Sequence, residues 1–189
     1  DCLLIVGSNV REEAAIINTR IRKQVISKDV PVALIGENFD LTYKYEHLGN
    51  DVNILTDILY DKNEFSKKLT EAKKPMLIIG QALLNREDSI QIYSLLETFI
   101  EKFNMVNDEW NGFNVLQLSA SRAGSLEVGC YQKNKNLDDI LDDARNEKVK
   151  LLISFGADEI DYENFEKSKI VYMGTHGDKG ASKADIISV

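Results

Sequence analysis

The sequence predicts an α/β fold: a doubly wound, mostly parallel sheet with helices on both faces. The first observation is a recurring phrase, an apolar run that ends in glycine. It occurs as LLIVG (3–7), VALIG (32–36), MLIIG (76–80), LLISFG (151–156) and IVYMG (170–174). The second observation is that segments of helical periodicity separate these runs, which is typical of parallel sheets covered on both sides.

The first strand, helix and second strand form a βαβ unit. The run at 3–7 has no polar alternation, which predicts a strand buried on both faces. Asn9 takes the N-cap position of the next helix, and Glu12 has the spacing of a capping box. Apolar residues at helical intervals then predict one helix over 10–27, and its crossover to the strand at 32–36 should be right-handed.

The middle of the chain combines two short helical segments with one long helix. We expect one or two helical turns at 53–60 and a short helix over 64–73, followed by the strand at 76–80. Asn85 should cap the clearest helix of the chain, over 86–103. The side chains of that helix expected to face the sheet are Leu95, Leu96 and Phe99.

The last third opens with a long irregular region, 104–136, that includes a short strand at 114–118. Loops of this length are usually functional or form interfaces. Within it, we expect Leu126 and Val128 to pack inward. The elements predicted after it are a helix capped by Asn136 and strands at 151–156, 170–174 and 184–187.

The length of 189 residues suits a single α/β domain over 1–189. The sequence opens at Asp1 without a Met, directly before a strand-like run, and stops within another such run. We therefore interpret it as a fragment of a longer chain.

Composition and charge argue against two classes of partner. The net charge of −8 would repel a phosphate backbone, so no nucleic-acid partner is expected. No apolar run approaches the roughly 20 residues that a membrane span needs, so no direct membrane insertion is expected.

Metal ligands are few and scattered. Cys2 and Cys130 are far apart and no C-x-x-C motif occurs, so we expect reduced thiols and neither a zinc nor an iron–sulfur site. His47 and His176 are the two histidines, and no carboxylates are placed by the sequence to complete a metal site with them.

The glycines that follow two strands are candidates for ligand binding. A glycine at the carboxyl end of a parallel strand admits either a ligand or a neighbouring backbone, and the next helix N-terminus favours an anion. G-x-G-x-x-G and Walker motifs are absent. Two interpretations stay open: simple structural turns, or a nucleotide pocket or its relic. The residues of that pocket would be Gly7, Asn9, Gly156 and Asp158.

Two polar loops carry the histidines. THGDKG (175–180) places His176 beside Asp178, a pair that acid–base chemistry could use, although no nucleophile accompanies it. A turn or an interface is the favoured interpretation, and no catalytic residue is assigned. In KYEHLGN (44–50), His47 is interpreted as a hydrogen-bonded loop anchor rather than a ligand.

Several phrases together resemble one family. LLIVGSNVREEAAIINTRIRK, YKYEHLGN, SASRAGSLEVGCYQ and YMGTHGDKGASKADII are similar, in that order, to the molybdopterin-oxidoreductase fold of the largest iron–sulfur subunit of respiratory complex I, NADH:quinone oxidoreductase. The resemblance covers nearly all of the chain. One departure is Val10, where members of the family usually have proline; both residues suit a first helical turn.

The resemblance implies a structural and assembly domain in an oxidoreductase. In that family an N-terminal region rich in Cys and His holds the iron–sulfur clusters, and this region is missing here. The part that remains is related to enzymes with a pterin–dinucleotide cofactor, which the complex I subunit has lost. The fragment is therefore expected to be non-catalytic and without a cofactor. The alternative is a cofactor-binding fragment of a true molybdopterin-dependent oxidoreductase, which would use the glycine pocket described above.

The resemblance also implies partners and a location. The partners would be the remainder of the same subunit and other subunits of the peripheral arm. The arm lies on the cytoplasmic face of a bacterial inner membrane, or on the matrix side in mitochondria. The residues interpreted as interface candidates are His47, Trp110, His176 and Asp178.

Overall fold

The computed structural model of the chain describes residues 1–119, 121–131, 133–157 and 159–188. The chain divides by its internal contacts into two compact units, Asp1–Ala123 and Gly124–Val189. Each unit contains a separate main β-sheet. The expectation of a single domain over 1–189 stays a prediction.

The first unit is built on a five-stranded sheet in which all neighbouring strands are parallel. The five strands are β1 (Cys2–Val6), β2 (Val32–Ile35), β3 (Glu46–Gly49), β4 (Pro75–Gly80) and β7 (Phe113–Leu116). Their spatial order is β3-β2-β1-β4-β7. An antiparallel hairpin of β5 (Val106–Asn107) and β6 (Trp110–Asn111) precedes β7.

Helices lie on both faces of this sheet. The helices of the unit are α1 (Val10–Glu13), α2 (Ala15–Lys28), α3 (Asn53–Leu59), α4 (Phe65–Glu71), α5 (Gln81–Leu84) and α6 (Ser89–Lys102). Leu3 and Ile5 of β1 pack on the α2 side, whereas Leu4 and Val6 pack on the side of α3, α4 and α6. The run at 3–7 lacks polar alternation because both faces of β1 are buried. The predicted fold class is confirmed.

The second unit is built on a three-stranded parallel sheet. Its elements are α8 (Leu137–Arg145), β8 (Leu151–Phe155), a 3-10 turn (Tyr162–Phe165), β9 (Lys169–Met173), α9 (Lys179–Lys183) and β10 (Ile186–Ser188). The spatial order of the strands is β10-β9-β8. The short helix α7 (Arg122–Glu127) precedes them. The buried apolar side chains of its core are Ala144, Tyr162, Phe165 and Ile170.

Three predictions about helix bounds and burial were wrong. The helix over 10–27 is interrupted at Ala14, whose φ of −148° separates α1 from α2. The long helix begins at Ser89 with Asp88 as its N-cap, while Asn85 ends α5.

The third error concerns burial. Leu126 and Val128 do not pack inward: 48% and 75% of their surfaces are exposed. Among the other elements, β3 falls in a stretch without apolar alternation and was not predicted. The capping of α8 by Asn136 is confirmed, and Asp139 completes a capping box there.

Candidate functional site

The carboxyl ends of β1, β2 and β4 are held together by backbone contacts between glycines. Gly7 has a φ of +63°, which glycine adopts without strain. Its N–H donates to the Ile35 carbonyl at 2.9 Å. A Cβ on Gly80 would overlap the Gly7 carbonyl oxygen and lie 3.0 Å from the Ser8 Cβ. These glycines therefore allow strand ends to approach one another, which was one of the two interpretations of the motif.

A carboxylate from the chain itself occupies the N-terminus of α1. The Asn9 N–H donates to Glu13 Oε1 at 2.7 Å, and Ser8 Oγ donates to Glu13 Oε2 at 3.1 Å. A nucleotide phosphate would take this position, because free N–H groups point outward at a helix N-terminus. The predicted capping box with Glu12 is wrong: Glu13 closes back on Asn9, and the Asn9 side chain makes no cap bond.

The cavity at these strand ends is small. It has a volume of about 220 Å³, and Gly7, Gly36, Asn50, Leu83 and Arg86 are among its lining residues. Cavities that bind organic cofactors typically measure about 300–1,000 Å³. The Arg86 guanidinium, the cation at this cavity, is paired with Asp88 at 2.7 Å. This cavity taken alone is therefore below the usual size of a site for an organic cofactor.

The other two residues of the predicted pocket lie elsewhere in the chain. Gly156 belongs to the second unit, where its N–H donates to the Met173 carbonyl at 2.8 Å. Asp158 lies outside the described residues. A pocket formed jointly by all four residues stays a prediction.

His47 is an exposed residue of β3 whose Nε2 lies 2.7 Å from the Gly36 carbonyl oxygen. This contact ties β3 to the end of β2, which agrees with the interpretation of His47 as an anchor. A role in an interface stays a prediction.

Trp110 fixes the β5–β6 hairpin to the main sheet. Its indole Nε1 donates to the Pro75 carbonyl at 2.8 Å, at the start of β4. The Lys74 ammonium lies 5.5 Å from the ring centroid, within cation–π range. The ring is half-buried. Trp110 therefore has a structural role in the first unit, whether or not it also contacts a partner.

Asp178 organises the THGDKG loop of the second unit. It is the N-cap of α9, where Oδ1 accepts from the Ala181 N–H at 3.0 Å, and the buried Tyr172 hydroxyl donates to Oδ2. The Tyr172 hydroxyl, followed by the Ala181 N–H, holds the pKa of the Asp178 carboxyl below its usual value. A Cβ on Gly180 would lie 2.6 Å from the Tyr172 ring.

His176 differs from its neighbour Asp178. Its side chain is exposed, and its Nδ1 lies 2.9 Å from Thr175 Oγ1. No carboxylate bonded to His176 is found in the described part of the chain. The two residues therefore have different contacts: the Asp178 carboxylate caps α9, whereas the His176 imidazole is exposed beside Thr175, and the absence of a catalytic role stays a prediction.

The cysteines behave differently from each other. Burial raises the pKa of the Cys2 thiol to about 11, whereas Cys130 is exposed. Across the described residues, no group of three or more His, Cys, Asp and Glu side chains is placed to hold a metal. The expected absence of metals and cofactors stays a prediction.

Sequence reasoning missed two residues that organise these regions. Glu13 stands four residues after Asn9, one position beyond the capping-box spacing on which the prediction relied. Tyr172 lies in an apolar strand, so its hydroxyl gave no signal of its own. The available signal was the acidic and aromatic pairing of YMGTHGD (172–178), which places a phenol six residues before a carboxylate.

A model of the Molybdopterin oxidoreductase family matches residues 1–187. The chain belongs to this family. The resemblance stated above on sequence motifs is confirmed.

Curated members with similar sequences come from several lineages. The chain is 40% identical over 187 residues to the NADH-ubiquinone oxidoreductase 75 kDa subunit of Reclinomonas americana, covering 99% of this chain and 27% of that protein. It is 39% identical over 190 residues to the NADH-ubiquinone oxidoreductase 78 kDa subunit of Neurospora crassa, covering 99% and 24%. It is 33% identical over 188 residues to the mitochondrial NADH dehydrogenase [ubiquinone] iron-sulfur protein 1 of Solanum tuberosum, covering 99% and 24%.

The chain thus spans about a quarter of the length of these relatives. None of the helices formed by the described residues has both the length and the apolar character needed to cross a membrane.

Proposed function

We propose that the chain is a non-catalytic structural and assembly domain of the large iron–sulfur subunit of an NADH:quinone oxidoreductase. The family match and the three relatives support the choice of complex. The observation that carries the non-catalytic part is Glu13, whose carboxylate takes the anion position at α1. A phosphate there would meet the Glu13 carboxylate, which already accepts from the Asn9 N–H, and repulsion would oppose its binding.

The partners proposed for this domain are the rest of its own polypeptide, which would carry the iron–sulfur clusters, and other subunits of the peripheral arm. The domain would lie on the cytoplasmic face of a bacterial inner membrane or on the matrix side of a mitochondrial one. It would neither enter the membrane nor bind nucleic acid.

The decisive experiment separates assembly from electron transfer. His176→Ala and Trp110→Ala are introduced into the complete polypeptide, with the exposed Lys62→Ala as a matched control. We expect less assembled complex from the two variants and wild-type assembly from the control. The NADH:quinone turnover per assembled complex should stay near wild type in all three. Normal assembly with a collapsed specific turnover would overturn the proposal.

Asp178→Ala tests folding as well as docking, because the carboxylate of Asp178 caps α9 and binds the Tyr172 hydroxyl. We expect reduced thermal stability of the isolated 189-residue chain as well as reduced assembly. His176→Ala should leave the thermal stability unchanged, since that side chain is exposed. Comparing the two variants separates loss of folding from loss of a docking contact.

A second experiment addresses the cofactor alternative. The purified 189-residue chain should contain no iron, molybdenum or flavin and should not oxidise NADH with an artificial acceptor. Elemental analysis and visible absorbance measure the content of metal and flavin. A turnover assay, with buffer as the control, measures the oxidation of NADH. Stoichiometric molybdenum, or a bound pterin, would favour the cofactor-binding fragment instead.

A further inference from the structure

A broad groove lies on the α2 face of the first unit's sheet, and the proposed function does not account for it. We call it the α2 groove. Its volume is about 900 Å³. The residues on which the argument depends are Ile17, Arg20, Lys23, Met76, Trp110 and Leu116. All of its lining residues belong to the first unit.

The groove follows from the strand order. The step from β1 to β2 runs in one direction and carries α2 onto one face of the sheet. The steps from β3 to β4 and from β4 to β7 run in the opposite direction, so right-handed crossovers place α3, α4 and α6 on the other face. Helix α2 packs on β1 and β2 through Ile21 and Val25. On that face, β4 and β7 are left without a helix of their own in the described part of the first unit.

The floor of the groove is apolar where a covering element would sit. Met76 and Leu116 point to this face and are only partly buried, beside the buried Ile78. Ile17 of α2 is 37% exposed on the adjoining wall. Parallel strands are normally covered on both faces, so a surface of this kind calls for an apolar partner.

The dimensions fit one helix. Two neighbouring strands occupy about 10 Å, which is close to the 8–10 Å axis spacing of packed helices. The six residues of β4 (Pro75–Gly80) extend about 20 Å, the length of a helix of roughly 13 residues.

The rim of the groove is basic. Arg20 and Lys23 lie one turn apart on the exposed surface of α2, and no ion pair to either is found in the described residues. Lys74 stands at the end of the groove over the Trp110 ring. The one acidic lining residue, Asp1, accepts from the backbone N–H groups of Lys73 and Lys74. A partner with acidic side chains would therefore complement the α2 rim.

We propose that the α2 groove binds an acidic amphipathic helix from another polypeptide of the complex. Its apolar stripe lies on Met76, Ile78 and Leu116, and acidic residues spaced three or four apart face Arg20 and Lys23. This inference rests on the proposed function as an assembly domain, and it names the surface that performs the docking.

Charge reversal tests the rim. Arg20→Glu combined with Lys23→Glu is compared in the complete polypeptide with Lys44→Glu combined with Lys62→Glu, which changes the charge equally at exposed lysines outside the groove. We expect the first variant to lower the affinity of the purified polypeptide for the rest of the complex about tenfold, with a weaker salt dependence, and the second to bind as wild type. Equal binding of both variants would overturn the proposal.

Photo-crosslinking identifies the occupant. p-Benzoylphenylalanine replaces the exposed Asn114 on the groove floor, with Lys62 as the control position, and crosslinked peptides of the purified complex are sequenced by mass spectrometry. We expect a crosslink from position 114 alone, to an acidic segment of another subunit with helical apolar spacing. A crosslink to a second copy of this chain or to its own polypeptide, or no crosslink at all, would overturn the proposal.

The two proposals fail in different ways. If the groove variants assemble normally while His176→Ala reduces assembly, the assembly role stands and the groove assignment is wrong. If every variant assembles normally, the assembly role itself is wrong.

Discussion

The first and second units contain strands with nearly the same sequence but different burial. In β1, Leu4 and Ile5 of the run LLIV are completely buried. In β8, Leu151 and Ile153 of the run LLIS are 52% and 49% exposed. Both runs form parallel strands that end at a glycine.

The difference lies in what covers each sheet. Helices pack on both faces of β1, so its odd and even side chains enter separate apolar clusters. In the described part of the second unit, α8 and the 3-10 turn pack on the face of β9 that presents Ile170. Leu151, Ile153 and Phe155 alternate onto the opposite face, which is exposed. An apolar run therefore predicts a strand but not how many of its faces are covered within one unit.

The largest expected effect is a charge placed in the core of the first unit. Leu96→Asp puts a carboxylate at a position of α6 that is 0% exposed, and we expect a loss of more than about 4 kcal/mol in the free energy of unfolding. Denaturant titration of the purified chain measures this. Ile90→Asp is the matched control, because Ile90 lies on the same helix and is 78% exposed. Unchanged stability of Leu96→Asp would show that this helix face is not buried.

The next effect compares the two runs directly. Leu4→Ala should cost about 3 kcal/mol, because it leaves a cavity between two packed layers. Leu151→Ala should cost well below about 1 kcal/mol, since half of that side chain already meets solvent. Equal losses in denaturant titrations would mean that β8 is covered in solution, and the contrast between the units would disappear.

A smaller effect on stability is expected when glycines are replaced by alanine. A methyl group on Gly80 meets the Gly7 backbone, so Gly80→Ala should destabilise the first unit by about 1–3 kcal/mol. In α7, a Cβ on Gly124 meets nothing within 4 Å. Gly124→Ala should stabilise its helix by up to about 1 kcal/mol. Thermal melts of both variants test the pair, and a neutral Gly80→Ala would show that the strand ends can move apart.

Most of the fold could be predicted from the sequence because it rests on local patterns. Seven strands and the principal helices follow from apolar periodicity and turn residues. The break at Ala14 could not be predicted, because the apolar residues of 10–27 keep helical spacing throughout. Only the extended φ of Ala14 separates α1 from α2. The strand β3 was missed because its residues are partly exposed and carry no alternation.

The candidate site was less predictable. Strand-end glycines indicate close approach, and the sequence left open whether a ligand or a backbone approaches. The choice depends on Glu13 reaching back to Asn9, which is a side-chain geometry that spacing alone does not specify. Likewise, the polar composition of its loop made Asp178 an interface candidate. Its hydrogen bonds to Tyr172 and Ala181 form only because the fold brings β9 and α9 together.

The smallest expected effect concerns the polar contacts of the second unit, whose apolar core is modest. The pKa of Asp178 is lower in the folded than in the unfolded chain, so as the pH falls the unfolded state takes up this proton first. The stability that Asp178 contributes is therefore fully present above the usual aspartate range, near pH 4, and is lost as the pH falls through its folded pKa. Asp178→Asn should melt below wild type at pH 7, and the difference should shrink as the pH falls below about 4. Asp57→Asn, at an exposed carboxylate of α3, serves as the control for the loss of one carboxylate charge. A difference independent of pH would mean that the carboxylate charge is not what holds Tyr172 and α9 together, and that this loop depends on packing as the first unit does.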